Sequence, residues 1–148
     1  MSERYFDDLK IGDRFDSDTF VVTEEAIIEF ATDFDPQGFH LDANFAKETL
    51  FGGLTASGWH TAAMTMRLFV QTLNFAGGAI GLGVDELRWP AAVRPGDILR
   101  VQTDIVDLRL SRSKSGFGIV RIRNTTRNQK SETVQTMFAS ALVPTRSP

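Results

Sequence analysis

No cysteine occurs anywhere in this chain of 148 residues. That absence removes disulfides, thiolate nucleophiles and sulfur-ligated metal sites together, and it predicts a reducing, cytoplasmic setting. Histidine is nearly as scarce, with only His40 and His60 available. Together with Asp42 they do not form a recognised zinc-ligand spacing, so no metal is expected. Uninterrupted hydrophobic runs are missing too. The most apolar stretch, 58–75, is broken by His60, Thr61, Thr65, Arg67, Gln71 and Thr72, which argues against a membrane span. There is no basic excess: the formal net charge is -3, so neither nucleic acid nor an anionic membrane is an expected partner. Residues 1–4, Met-Ser-Glu-Arg, lead into no apolar h-region and predict no secretory leader.

Two familiar motifs are also lacking. Thr55-Ala56-Ser57-Gly58-Trp59 is not the Gly-x-Ser-x-Gly elbow of a serine hydrolase. Gly77-Gly78, Gly81 and Gly83 have no βαβ unit around them, so they read as turn and bulge positions rather than a dinucleotide fingerprint.

What is present fits one soluble domain spanning 1–148, with 42% hydrophobic and 24% charged residues. Residues 14–22 read as a strand with Phe15, Phe20 and Val22 inward. Thr23 and Glu24-Glu25 open a helix to Asp33, whose apolar side is Ala26, Ile27, Phe30, Ala31 and Phe34. Asp42 caps a second helix over 43–50, with Phe45, Ala46, Thr49 and Leu50 as its apolar side. Ser57 caps a third helix, apolar nearly all round and therefore enclosed on most sides. The remainder is strand-like: 80–87, 98–108, 117–126 and 132–143. Arg94-Pro95-Gly96-Asp97 and Asn128-Gln129-Lys130-Ser131 are turns between them. In these strands Val120 and Ile122 alternate with Arg121 and Arg123, and Val134, Phe138 and Leu142 alternate with polar neighbours. Helices followed by long antiparallel strands predict an α+β domain, a curved sheet wrapped around a long central helix. An open sheet leaves an edge, which predicts a homodimer or a larger assembly of dimers.

The chemistry concentrates between Phe34 and Trp59. Pro36 and Gly38 disfavour a continuous helix there, so Asp35 and His40 stand five apart on a loop with its own shape. A carboxylate and an imidazole can exchange protons near neutral pH; equally, Asp35 could brace the loop while His40 packs. His60, near the start of the long helix, reads better as a residue hydrogen-bonded to a neighbour. Gly58 at the same helix start would let a ligand carbonyl approach a free amide, or would serve tight packing on the sheet.

The run Asp35-Pro36-Gln37-Gly38-Phe39-His40-Leu41-Asp42 resembles the hydratase motif Asp-x-Asn-Pro-x-His-x-Asp, and Phe45-Ala46, Phe51 and Ser57-Gly58 continue the match. It is the motif of the MaoC-like dehydratases, or (R)-specific enoyl-CoA hydratases, which have the hotdog fold. Gln37 stands in place of the motif's Asn and Gly38 in place of its Pro, with a proline at 36 instead. The resemblance implies that Asp35 and His40 are a catalytic pair flanking one water, which adds across the C2–C3 double bond of an enoyl thioester or leaves it. It implies that the Gly58 amide binds the thioester oxygen, with Ser57 and Gln37 as further substrate-binding candidates. The substrate would be an acyl-CoA or another acyl thioester, and no separate cofactor is expected because coenzyme A belongs to the substrate. Arg112 and Lys114, with Arg88 as a further candidate, are the cations expected to meet its phosphates. Rival readings are a hotdog thioesterase, which would hydrolyse the same thioester, and a non-catalytic acyl-binding subunit.

Overall fold

The computed structural model describes residues 2–148; the expected leaderless start at Met1 lies outside them. Strand β1 (Arg14–Asp16) and strand β2 (Phe20–Val21) replace the single strand read over 14–22. Ser17 is the reason. Its hydroxyl accepts the Val101 amide at 2.8 Å while its own amide donates to the Val101 carbonyl at 2.9 Å. A side chain thus takes over a ladder position, and the strand breaks there. The expected anchors still point inward: Val22 is buried, and Phe15 and Phe20 pack against the core.

Helix α1 (Glu24–Phe34) starts where Thr23 accepts the Ala26 amide at 3.1 Å. Ile27 and Ala31 are its buried residues, whereas Phe34 is exposed. Next comes α2 (Gly38–Leu41), a single turn. His40 therefore sits on a short helical turn rather than on an irregular loop. Pro36 stops α1 but does not prevent a new turn from starting two residues later, at Gly38. Helix α3 (Ala43–Lys47) is capped by Asp42 as expected, yet it ends three residues early. Phe45 and Leu50 face solvent and Ala46 alone is buried, so the expected apolar side of this helix is largely absent. Phe45 instead folds back on Gly38, leaving no room for a Cβ there.

Helix α4 (Gly58–Leu73) is followed by β3 (Ile80–Arg88), β4 (Ile98–Leu110), β5 (Phe117–Arg127) and β6 (Thr133–Pro144). These strands match the sequence reading to within two residues at each end. They form an antiparallel sheet in the order β1-β4-β5-β6-β3, with β2 also on β4. The β3–β6 register shifts between Gly81 and Gly83, the bulge expected of those glycines. Val120, Ile122 and Val134 are buried as read, but farther along β6 it is Met137 and Val143, not Phe138 and Leu142, that are buried. Phe138 faces the other side, where the Arg121 guanidinium lies 5.1 Å from its ring centre. Pairing of Phe138 with Arg123 imposes that orientation through the period-two pleat.

Two core clusters grip α4. Near its N-terminal half Met64 and Leu68 pack with Ile27, Leu54, Val93 and Leu99. Near its C-terminus Phe69 and Leu73 pack with Leu9, Ile105, Val120 and Val143. Between them the Thr65 and Thr126 hydroxyls share a buried hydrogen bond of 2.7 Å. The helix is covered on one side only, contrary to the expected enclosure. Trp59, Met66 and Val70 are 50% exposed or more, as are Ile80, Leu82 and Val84 on edge strand β3. A long helix against a curved antiparallel sheet is the hotdog fold, and this sheet is not closed.

Candidate active site

The start of α4 is built by Ser57, which is fully buried. Its hydroxyl accepts the Trp59 amide at 3.3 Å, the capping role expected of it. The same hydroxyl favours the Asp35 carboxylate, so one residue ties the end of α1 to the start of α4. Asp35 lies just beyond α1, and His40 reaches it from α2. The Asp35 Oδ2 to His40 Nε2 distance is 3.3 Å. The pair read from spacing is therefore assembled in space.

Their environments differ in a useful way. His40 is buried, and its Nδ1 lies 2.6 Å from the Thr55 carbonyl oxygen. A carbonyl only accepts, so Nδ1 carries a hydrogen and Nε2 is the nitrogen left to exchange a proton. Asp35 accepts from the Gln37 side-chain amide at 2.6 Å. Burial pushes its carboxyl up, but the hydrogen bonds from Gln37 and Ser57 and the facing His40 outweigh that, so the net shift is below the ordinary carboxylate value. Asp35 is thereby held as an anion. The amide that Gln37 brings, in place of the motif's Asn, serves this purpose.

A cavity of about 310 Å³ opens beside the pair, lined by His40, Phe51, Ala56, Gly58, Thr61 and the segment 89–93. Gly58 lines it at the first turn of α4, where the helix amides carry positive partial charge. No hydrogen-bond acceptor for the Gly58 amide is found among the described residues. The demand for glycine, though, comes from packing: a Cβ at Gly58 would lie 2.6 Å from the Trp89 ring. Trp89 is fixed by a 2.8 Å hydrogen bond from its indole nitrogen to the buried Gln135 and by an edge contact with Trp59.

His60 differs from expectation. It is buried and stacked 4.8 Å from Phe30, and its Nδ1 finds no hydrogen-bond partner among the described residues. Burial lowers its pKa, which keeps the ring neutral. Arg112 and Lys114 are not brought to the site. They follow the far end of β4, whose start adjoins the cavity wall, so about 40 Å of strand separates them from it. Arg88 ends β3 next to Trp89 and is 4.0 Å from Glu86. Sequence reasoning missed Thr55, Trp89 and Gln135. The run Arg88-Trp89-Pro90 at a strand end was the available signal for Trp89; nothing local marked Thr55 or Gln135.

Among the described residues no group of three His, Asp or Glu is placed to hold a metal ion, and no helix is long and apolar enough to cross a membrane.

Residues 8–128 match the family described as MaoC like domain. A protein of Bacillus subtilis (strain 168), YdeM, described as uncharacterized, is 31% identical over 126 residues, 84% of this chain and 87% of that protein. Among solved structures, a MaoC-like dehydratase from Rhodospirillum rubrum superposes with a TM-score of 0.92 at 48% identity, covering 98% of this chain and 99% of that one. The R-hydratase PhaJ1 from Pseudomonas aeruginosa, in its unliganded form, superposes with a TM-score of 0.80 at 26% identity, covering 96% and 86% of the two chains.

Proposed function

Since the chain belongs to the MaoC-like domain family, we propose that it is a hydro-lyase that adds water across the C2–C3 double bond of an enoyl thioester, or removes it. The observation that carries this reading is the Asp35–His40 pair, 3.3 Å apart beside a cavity that also holds the start of α4. A water can touch both side chains at that separation. In hydration, the Asp35 carboxylate takes a proton from the water as its oxygen bonds to C3. The π electrons move onto C2 and the thioester oxygen, giving an enolate that the Gly58 amide and the α4 N-terminus stabilise. His40, in its imidazolium form with a hydrogen on each ring nitrogen, then gives its Nε2 proton to C2. The proton gained by Asp35 passes to Nε2, and the cycle is closed. Nothing is oxidised or reduced, so the chain's own side chains suffice for both proton transfers.

The open face gives the second part of the proposal. The edge of β3 and the bare side of α4 form one apolar surface, with Met66, Val70, Leu82 and Val84 all at least half exposed. A second copy placed by a twofold axis would pair edge with edge and cover it, making a homodimer.

Incubation with crotonyl-CoA tests the activity. Loss of the conjugated enoyl absorbance without release of free thiol is the expected result, and D35N and H40A should each slow it by about 10²-fold or more. Thiol release would instead indicate a thioesterase. Turnover indifferent to both substitutions would remove the site, and absence of any turnover would favour an acyl-binding role. Sedimentation of wild type against the M66E/V84E double variant tests the dimer; a wild-type monomer contradicts it.

A further inference from the structure

The cavity at His40 does not end at its own wall. Ala91 and Ala92 also line a second cavity, of about 370 Å³, which holds Arg94 and Lys130. Asn128 and Gln129 of that second cavity in turn line a third, of about 400 Å³, which holds Arg100 and Arg127. The three are neighbours with shared walls, and together they mark out a path from His40 past the start of β4 to the end of β5.

The cationic groups along this path have no carboxylate partner among the described residues, and two of them face each other across the sheet. Ion pairs engage Arg14, Arg121, Arg123 and Arg146 elsewhere in the molecule. None engages Arg94, Arg100, Arg127 or Lys130 among the described residues. Moreover, Arg100 and Arg127 are direct cross-strand partners. Like charges directly opposite one another destabilise a sheet, and an anion between them would relieve that. Carboxylates are also present, but two are already occupied. Asp97 accepts from the Arg94 amide at 2.9 Å and from Gln129 at 3.0 Å. Glu132 accepts from Asn128 at 3.2 Å. Asp16 is the third.

We propose that this path is the seat of the nucleotide end of a coenzyme A thioester, with its phosphates on Arg94, Lys130, Arg100 and Arg127. The proposal rests on the acyl-thioester reading above and moves the phosphate contacts away from Arg112 and Lys114, at the opposite end of the sheet. Arginine and lysine in this arrangement suit phosphate oxygens, the guanidinium by forked donation and the ammonium as a point charge. Arg94 has a second duty, since its Nη2 donates to the Phe51 carbonyl at 2.6 Å and so links the phosphate end to a wall of the first cavity.

The experiment compares hydration of crotonyl-CoA with hydration of crotonyl-pantetheine, which keeps the acyl group and arm but has no phosphate. Wild type should show the lower KM for the CoA substrate, and that KM should rise with salt. The R100E/K130E variant should raise KM for crotonyl-CoA by about tenfold or more, leaving kcat and the pantetheine KM unchanged. Equal KM values for the two thioesters in wild type would overturn the proposal. So would the reverse pattern, R112E/K114E raising the CoA KM while R100E/K130E is silent. Calorimetric titration with adenosine 3′,5′-bisphosphate separates this inference from the activity itself. Saturable binding that R100E/K130E abolishes supports the subsite even if neither thioester reacts, and no saturable binding overturns it.

Discussion

The two ends of α4 are built on opposite principles. At its C-terminal end Leu73 is fully buried among Leu9, Ile105, Val120 and Val143. Its last turn closes through Asn74 in the left-handed conformation, and the Asn74 carbonyl accepts the Arg4 amide at 2.9 Å. Phe6 presses onto Gly118 so closely that no Cβ fits. At the N-terminal end His40, Thr55, Ser57 and His60 are all buried, a carboxylate stands beside an imidazole, and a cavity remains. One end is a dry clamp. The other keeps polar groups out of water with fewer partners than they could use, which costs stability and creates reactivity.

The contrast can be broken most sharply by single substitutions at each end. D35N or H40A should lower turnover by about 10² to 10⁴-fold while circular dichroism shows the fold retained. L73A should do the opposite, removing about 2–5 kcal/mol of stability in a urea titration with kcat nearly unchanged. If L73A abolished turnover at temperatures where the variant stays folded, the two ends would not be separable.

Glycine substitutions sharpen the same comparison at intermediate size. G58A forces a methyl against the Trp89 ring and G118A forces one against Phe6, so overpacking should cost each about 1–3 kcal/mol. Only G58A should also reduce kcat/KM, because of the two glycines only Gly58 lines the cavity. Equal effects on kcat/KM from both would contradict the placement of the thioester oxygen at α4.

The smallest effect concerns His60. Burial lowers its pKa in the folded state. Its contribution to stability is therefore complete above the unfolded value of about 6.5, and is lost as pH falls through the lowered folded value. H60F keeps the stack on Phe30 but cannot titrate. The urea midpoint of wild type should fall between pH 7 and pH 5 by more than that of H60F. Identical pH dependence in both would show that His60 is not neutral and buried as described.

Much of the frame was readable in the residues. Period-two alternation and the turns at Arg94–Asp97 and Asn128–Ser131 placed all four long strands, since both signals are local. Thr23, Asp42 and Ser57 announced their helices for the same reason. The Asp35–His40 spacing and its motif pointed to the pair. What escaped depends on contacts distant in sequence. Thr55 orients His40 only because the segment before α4 returns to α2, and Gln135 fixes Trp89 across the sheet. Arg112 and Lys114 looked suitable by loop composition, yet strand length carries them away from the cavity. The half-bare surface of α4 was hidden as well: an apolar helix reads the same whether a sheet or a second molecule covers its far side.

The central claim is that the Asp35–His40 pair directs water to C3 of an enoyl thioester. Crotonyl-CoA incubated in heavy-oxygen water and followed by mass spectrometry tests it directly. The account predicts one heavy oxygen on the C3 hydroxyl of an intact hydroxyacyl thioester, and no incorporation with D35N. Heavy oxygen in a free carboxylate alongside released coenzyme A, or undiminished incorporation by D35N, would contradict it.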